Sequence, residues 1–180
     1  MAHVRASIAA IEPNDSVERY TGLGVEVLQG EARIVSPWEV EVNGQRLSAR
    51  HLVIATGARP FVPPIPGLDN VPYCTSDTFW ALETLPQRIV VLGGGPIGCE
   101  LAQSLSRFDC DASIVEMAPQ LLAREDADAS AVVQTALERD GVRVLLGRKA
   151  IEARAGVPHM LAIEHDGVRT ELPFDLLLVA

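Results

Sequence analysis

Gly93, Gly95 and Gly98 stand in a G-x-G-x-x-G spacing between the apolar run 89–92 and a helical pattern that opens at Pro96. The run Ala112-Ser113-Ile114-Val115 follows that helix and ends on Glu116, 23 residues past Gly93. Strand, glycine turn, helix, strand and acid in this order leave few folds open. The offset is close to the roughly 20 residues expected for a carboxylate that grips a ribose. The three glycines act differently. Gly93 permits the tight turn, Gly95 lets backbone approach a pyrophosphate, and Gly98 lets the helix pack close to the strand. Pro96 opens the helix where its missing N–H is not needed. The free N–H groups of the first turn and the helix dipole then face an anion. Gly93, Gly95, Pro96, Ile97, Gly98, Glu116 and Met117 are therefore the candidate dinucleotide-binding residues.

The chain also resembles itself. Gly24-Val25-Glu26-Val27-Leu28-Gln29-Gly30 matches Gly141-Val142-Arg143-Val144-Leu145-Leu146-Gly147. Each copy continues into short alternating segments with a hairpin signal, Asn43-Gly44 in the first and Asp166-Gly167 in the second. Each series closes on an apolar strand, 52–55 or 176–180. The second copy follows a glycine-turn unit that starts near Arg88, whereas only 23 residues precede the first. A repeated unit with one half short predicts a fragment of a longer protein, cut at its N-terminus and again at Ala180.

The chain is 180 residues long and 48% apolar, enough for a substantial core. No apolar run is long enough to span a bilayer, and no signal peptide opens the chain. The net charge of −9, spread along the sequence, argues against nucleic acid as a partner. Cys74, Cys99 and Cys110 lack C-x-x-C spacing and are expected as buried free thiols in a reducing cytoplasm. His3, His51, His159 and His165 show no metal-ligand pattern and are expected at the surface or at edges.

Pattern and punctuation predict helical pieces over 4–11 and 16–20, and short strands over 25–28, 31–35, 38–42 and 46–49. A buried strand is expected over 51–55. The proline-rich stretch 59–67 reads as a stiff linker. Ser76 or Asp77 would cap a short helix carrying Phe79, Trp80 and Leu82. Strand 89–92 leads to helix 96–108, with Ile97, Leu101 and Leu105 on one face. After strand 112–116 comes a helix capped by Asp126 or Asp128, stopping at Gly141. Strand 142–146, a meander over 149–172 and strand 174–180 complete the chain. The fold class is α/β: a Rossmann-like doubly wound parallel sheet with a β-meander, plus a partial second nucleotide-binding domain. The expected sheet order is 142–146, 112–116, 89–92, 174–180, with a nucleotide across the C-terminal strand ends.

Larger blocks carry a resemblance over the whole chain. They are Ala55-Thr56-Gly57-Ala58-Arg59-Pro60, Ile65-Pro66-Gly67, the run from Gly93 to Ala102, Val115-Glu116, and Asp175 to Ala180. With these the chain resembles the pyridine nucleotide–disulfide oxidoreductases, FAD flavoproteins such as dihydrolipoamide dehydrogenase, glutathione reductase and mercuric reductase. The resemblance implies that 1–67 is the C-terminal part of a truncated FAD-binding domain, with Thr56 and Gly57 near the flavin dinucleotide. It implies that 68–180 is the NAD(P)H-binding domain. Glu100 matches a family glutamate that pairs with a lysine beside the flavin ring, and is the candidate catalytic residue. Pro96 departs from the aromatic gate that many members place there. None of the cysteines fits the family's C-x-x-x-x-C redox pair.

The parent implied by the resemblance is a cytoplasmic, homodimeric enzyme. It passes hydride from NAD(P)H to FAD and on to a disulfide or related acceptor, while the fragment itself is inactive. NADH is expected over NADPH, because Glu116 would repel a 2′-phosphate and Met117-Ala118-Pro119-Gln120 offer no cation. Arg124 is the nearest basic residue in that loop. A non-catalytic dinucleotide sensor is the alternative. An S-adenosylmethionine-dependent methyltransferase shares the glycine turn and acid, but neither the third glycine nor the repeat.

Overall fold

The computed structural model describes residues 1–180, which divide into compact units at 2–58 and 59–180. The first holds helices α1 (Ala2–Ile11) and α2 (Val17–Gly22), neither with a buried residue. Ser16 begins α2, its hydroxyl accepting the Arg19 N–H at 3.2 Å. Strands β1 (Ala32–Ser36), β2 (Glu39–Val42) and β3 (Gln45–Ser48) then form an antiparallel meander. Asn43 and Gly44 join β2 to β3 with φ of 51° and 78°, the paired positive values that a tight two-residue hairpin requires.

Two expectations fail in this unit. Residues 25–28 and 51–55 form no strand, and in the second run Val53 is 89% and Ile54 71% exposed. An apolar run becomes a buried strand only where neighbours satisfy its backbone and cover its faces. No strand of this chain pairs with either segment.

The second unit is built on a five-stranded parallel sheet. Its strands are β4 (Tyr73–Thr75), β5 (Arg88–Leu92), β6 (Asp111–Val115), β7 (Arg143–Leu145) and β11 (Leu176–Val179), ordered β4-β11-β5-β6-β7. The four strands read from the sequence stand in the expected order, and β4 adds an edge. Side chains alternate between faces. Ile89, Val91, Ile114 and Leu178 meet helices α3 (Pro96–Ser106) and α4 (Ala127–Arg139). Val90, Leu92, Val115, Leu177 and Val179 meet β8 (Lys149–Arg154), β9 (His159–His165) and β10 (Val168–Phe174). An antiparallel meander thus covers the face that a second helix layer would cover. Its β9–β10 turn, Asp166-Gly167, has φ of 49° and 76° and repeats the geometry of Asn43-Gly44. The middle parts of the two repeats both form three-stranded antiparallel sheets, but the flanking matched segments differ: 25–28 and 51–55 are not strands, whereas β7 and β11 are.

Arg88 and Asp175 tie the starts of β5 and β11. The Arg88 backbone N–H donates to Asp175 Oδ2 at 2.9 Å and its Nη2 to Oδ1 at 2.6 Å. These bonds hold the Asp175 carboxyl below the usual carboxylate range.

Local details correct the sequence reading. The buried residues of α3 are Gly98, Cys99, Ala102 and Leu105, while Ile97 is 47% exposed. The helix lies so close to β5 that small side chains make the contact, turning Ile97 outward. The segment at Phe79–Ala81 is a single 3-10 turn without a side-chain cap. There Thr78 Oγ1, not Ser76 or Asp77, accepts the Thr75 N–H at 2.9 Å. Asp126 stands at the start of α4 without a capping bond. The proline-rich stretch packs with the second unit: Val62 and Ile65 join its core, and the Pro66 carbonyl accepts the Ala153 N–H at 2.8 Å. No helix is long and apolar enough to cross a membrane.

Candidate functional site

The turn between β5 and α3 is built from its glycines. Gly93 has φ of 118°, and a Cβ there would lie 2.6 Å from the Ala180 carbonyl oxygen. A Cβ at Gly98 would lie 2.1 Å from the Gly93 carbonyl oxygen, so this glycine sets the helix–strand approach. Gly95 is different: nothing stands within 4 Å of where its Cβ would be. No side chain caps α3, and the N–H groups of Gly95, Ile97 and Gly98 find no partner in the chain. Open space and unspent donors at a helix N-terminus suit an anionic group such as a pyrophosphate.

Glu116 follows the end of β6 and binds the glycine turn directly. Its Oε2 accepts the Gly94 N–H at 2.6 Å, and its Oε1 accepts the Ala118 N–H at 2.7 Å. The Gly94 carbonyl in turn accepts the Leu122 N–H at 2.8 Å and the Cys99 thiol at 3.4 Å. Gly94 is thus held through both its N–H and its carbonyl. Burial, then the charges of Glu116 and Glu100, push the Cys99 thiol up to about 11.

A cleft of about 560 Å³ opens over the C-terminal ends of β5, β6 and β11, where Leu92, Val115 and Val179 form part of its wall. This is the strand-end position the sequence reading expected for a nucleotide. Gly93, Glu116 and Met117 line it, joined by Phe61, Pro63, Pro64, Ile65 and Pro66 from the proline-rich stretch. Arg148 and Lys149 line it too. The loop 117–120 has no cation, but Arg148 reaches the same cleft because its backbone N–H donates to the Glu116 carbonyl at 2.9 Å. The signal in the sequence was the basic pair Arg148-Lys149, which two residues separate from the end of β7.

Residues 2–180 match the family described as pyridine nucleotide-disulphide oxidoreductase. The chain belongs to that family. It is 34% identical over 168 residues to mercuric reductase of Lysinibacillus sphaericus, covering 92% of this chain and 30% of that protein. It is 35% identical over 165 residues to dihydrolipoyl dehydrogenase of Thermus scotoductus, covering 88% and 35% respectively. Among solved structures, the HOCl-induced flavoprotein disulfide reductase RclA of Escherichia coli superposes with a TM-score of 0.79 at 27% identity. That match spans 98% of this chain and 41% of RclA. The chain spans about a third of the length of these curated relatives. The family is one of redox enzymes that use FAD and nicotinamide dinucleotides.

The remaining candidates of the family reading are spread out. Pro96 and Ile97 stand at the open N-terminus of α3, beyond the cleft lining, and Gly98 is buried beneath Gly93. Glu100 is exposed on α3 and makes no ion pair. Thr56 and Gly57 belong to the other compact unit, where both are exposed.

Proposed function

We propose that residues 68–180 form the NAD(H)-binding domain of an FAD-dependent pyridine nucleotide–disulfide oxidoreductase, and that 1–67 is part of its FAD-binding domain. The observation that carries this reading is the uncapped, sterically open N-terminus of α3 beside a cleft that Glu116 borders. The N–H groups of Gly95, Ile97 and Gly98 hold the pyrophosphate, and the dipole of α3 adds to their pull. Glu116 takes the adenosine ribose. Its oxygens each accept one backbone N–H, and a carboxylate has further lone pairs for the ribose hydroxyls. A carboxylate at this point favours NADH over NADPH. Met117 and Ile65 give the cleft part of its apolar wall. Glu100 orients a lysine beside the flavin in the whole protein, and Thr56 and Gly57 lie near the flavin dinucleotide.

When bound, the nicotinamide and flavin supply hydride transfer toward a disulfide or related acceptor. The whole protein is a cytoplasmic homodimer, and this chain alone is inactive in that reaction. The test is titration of NADH into the chain and into Gly95→Ala, following nicotinamide fluorescence. Saturable binding that Gly95→Ala weakens is expected. Equal affinity in both would remove the α3 N-terminus from the site.

A further inference from the structure

The ionised side chains that line the cleft are Glu116, Arg148 and Lys149. They are not equivalent. Both oxygens of the Glu116 carboxylate already accept backbone N–H groups, which spreads its charge into the turn. Arg148 and Lys149 enter no ion pair, although six other arginines of the same unit stand against carboxylates. Lys149 is the only lysine in the chain.

The position of Arg148 is fixed from its backbone. Its N–H donates to the Glu116 carbonyl at 2.9 Å, and the preceding Gly147 N–H donates to the Ala118 carbonyl at 3.0 Å. Behind them His165 Nδ1 lies 2.6 Å from the Gly147 carbonyl oxygen. A braced turn therefore sets Arg148, whose guanidinium has no carboxylate partner, in the lining of the same cleft as Glu116.

We infer that Arg148, with Lys149 beside it, is a specificity determinant that receives a phosphate on the adenosine ribose, so that the cleft accepts NADPH as well as NADH. The inference rests on the dinucleotide reading above. A lone Glu116 would reject the 2′-phosphate. With two free cations against one partly neutralised anion, the side-chain charge at this end is positive instead. A guanidinium fork matches phosphate oxygens in pairs. Glu116 then keeps a preference for NADH, and Arg148 narrows it.

The experiment titrates NADH and NADPH, with 5′-AMP and 2′,5′-ADP as competitors, into wild type, Arg148→Gln and Lys149→Gln at several salt concentrations. Arg148→Gln should weaken NADPH and 2′,5′-ADP about tenfold, as for one lost charge-assisted pair, and NADH less than twofold. Lys149→Gln should act in the same direction but less. The salt dependence of NADPH binding should fall toward that of NADH in Arg148→Gln. The Arg148 side chain has no partner in the chain, so an unchanged melting temperature is the folding control. If wild type binds NADH but not NADPH, or if Arg148→Gln changes both nucleotides equally or neither, this inference is overturned and the dinucleotide reading stands. If wild type binds neither nucleotide, the dinucleotide reading itself falls.

Discussion

Glu116 Oε2 accepts the Gly94 N–H at 2.6 Å, joining the acid after β6 to the middle of the glycine turn. The acid proposed to take the ribose and the turn proposed to face the phosphate are thus one hydrogen-bonded piece. The same carboxylate accepts the Ala118 N–H, so it also orders the loop that follows β6.

Glu116→Ala should therefore weaken both fold and site. It removes two hydrogen bonds to a charged group, each worth roughly 1.5–3 kcal/mol, with water recovering part of that at this partly exposed position. A loss of about 1–3 kcal/mol in urea unfolding is expected, together with weaker NADH binding. Glu116→Gln keeps one acceptor and should lie between. Full stability in Glu116→Ala would show that the turn holds its shape without the carboxylate.

Gly98→Ala and Gly95→Ala should separate folding from binding. A Cβ at Gly98 lies 2.1 Å from the Gly93 carbonyl oxygen, so backbone must move. Overpacking of this kind costs about 1–3 kcal/mol or more. A Cβ at Gly95 meets nothing within 4 Å, so stability should hold within roughly 0.5 kcal/mol. NADH binding should still fall, because that Cβ enters the space proposed for the pyrophosphate. Differential scanning calorimetry beside fluorescence titration reads both quantities, and equal melting losses in the two variants would contradict the geometry.

Cys74, Cys99 and Cys110 are free and buried, and burial pushes the Cys74 and Cys99 thiols up to about 11. A thiol held protonated and covered is a poor nucleophile. At pH 8 an aromatic disulfide reagent should leave all three unreacted in the native chain and titrate all three in guanidinium. The chain should likewise show no NADH-dependent turnover with lipoamide, glutathione disulfide or Hg(II). Rapid native labelling of any cysteine, or steady turnover, would refute this.

Acid should unpin the sheet at its β5–β11 end. The Asp175 carboxyl is lowered chiefly by the Arg88 side-chain hydrogen bond, against an opposing effect of burial. Asp140 is lowered in the same way by Arg107. A carboxyl lowered by folding stabilises fully above its unfolded value of about 4, and that contribution is lost as pH falls through the folded value. The urea midpoint should drop below about pH 4. Asp175→Asn should start lower at neutral pH and lose less on acidification. A variant profile parallel to wild type down to pH 2 would assign the acid loss elsewhere.

Much of this architecture is local and so was written in the sequence. The hairpins at Asn43-Gly44 and Asp166-Gly167 depend on two residues that tolerate positive φ. The order of β7, β6, β5 and β11 follows from alternating strands and helices and the right-handed crossover. Gly93 and Gly98 take the roles their spacing gave them. Tertiary structure decided the rest, because it depends on partners far along the chain. The apolar run 51–55 has strand composition but no strand beside it, so it stays exposed. The prolines at 60–66 read as a linker until Pro66 met Ala153, which turned them into a cleft wall. Arg148 stands 32 residues after Glu116 in sequence, yet β6 and β7 are adjacent and bring both into one cleft. Backbone propensity fixes turns and strand ends, but the charge at a site is the sum over whatever strands the sheet sets side by side.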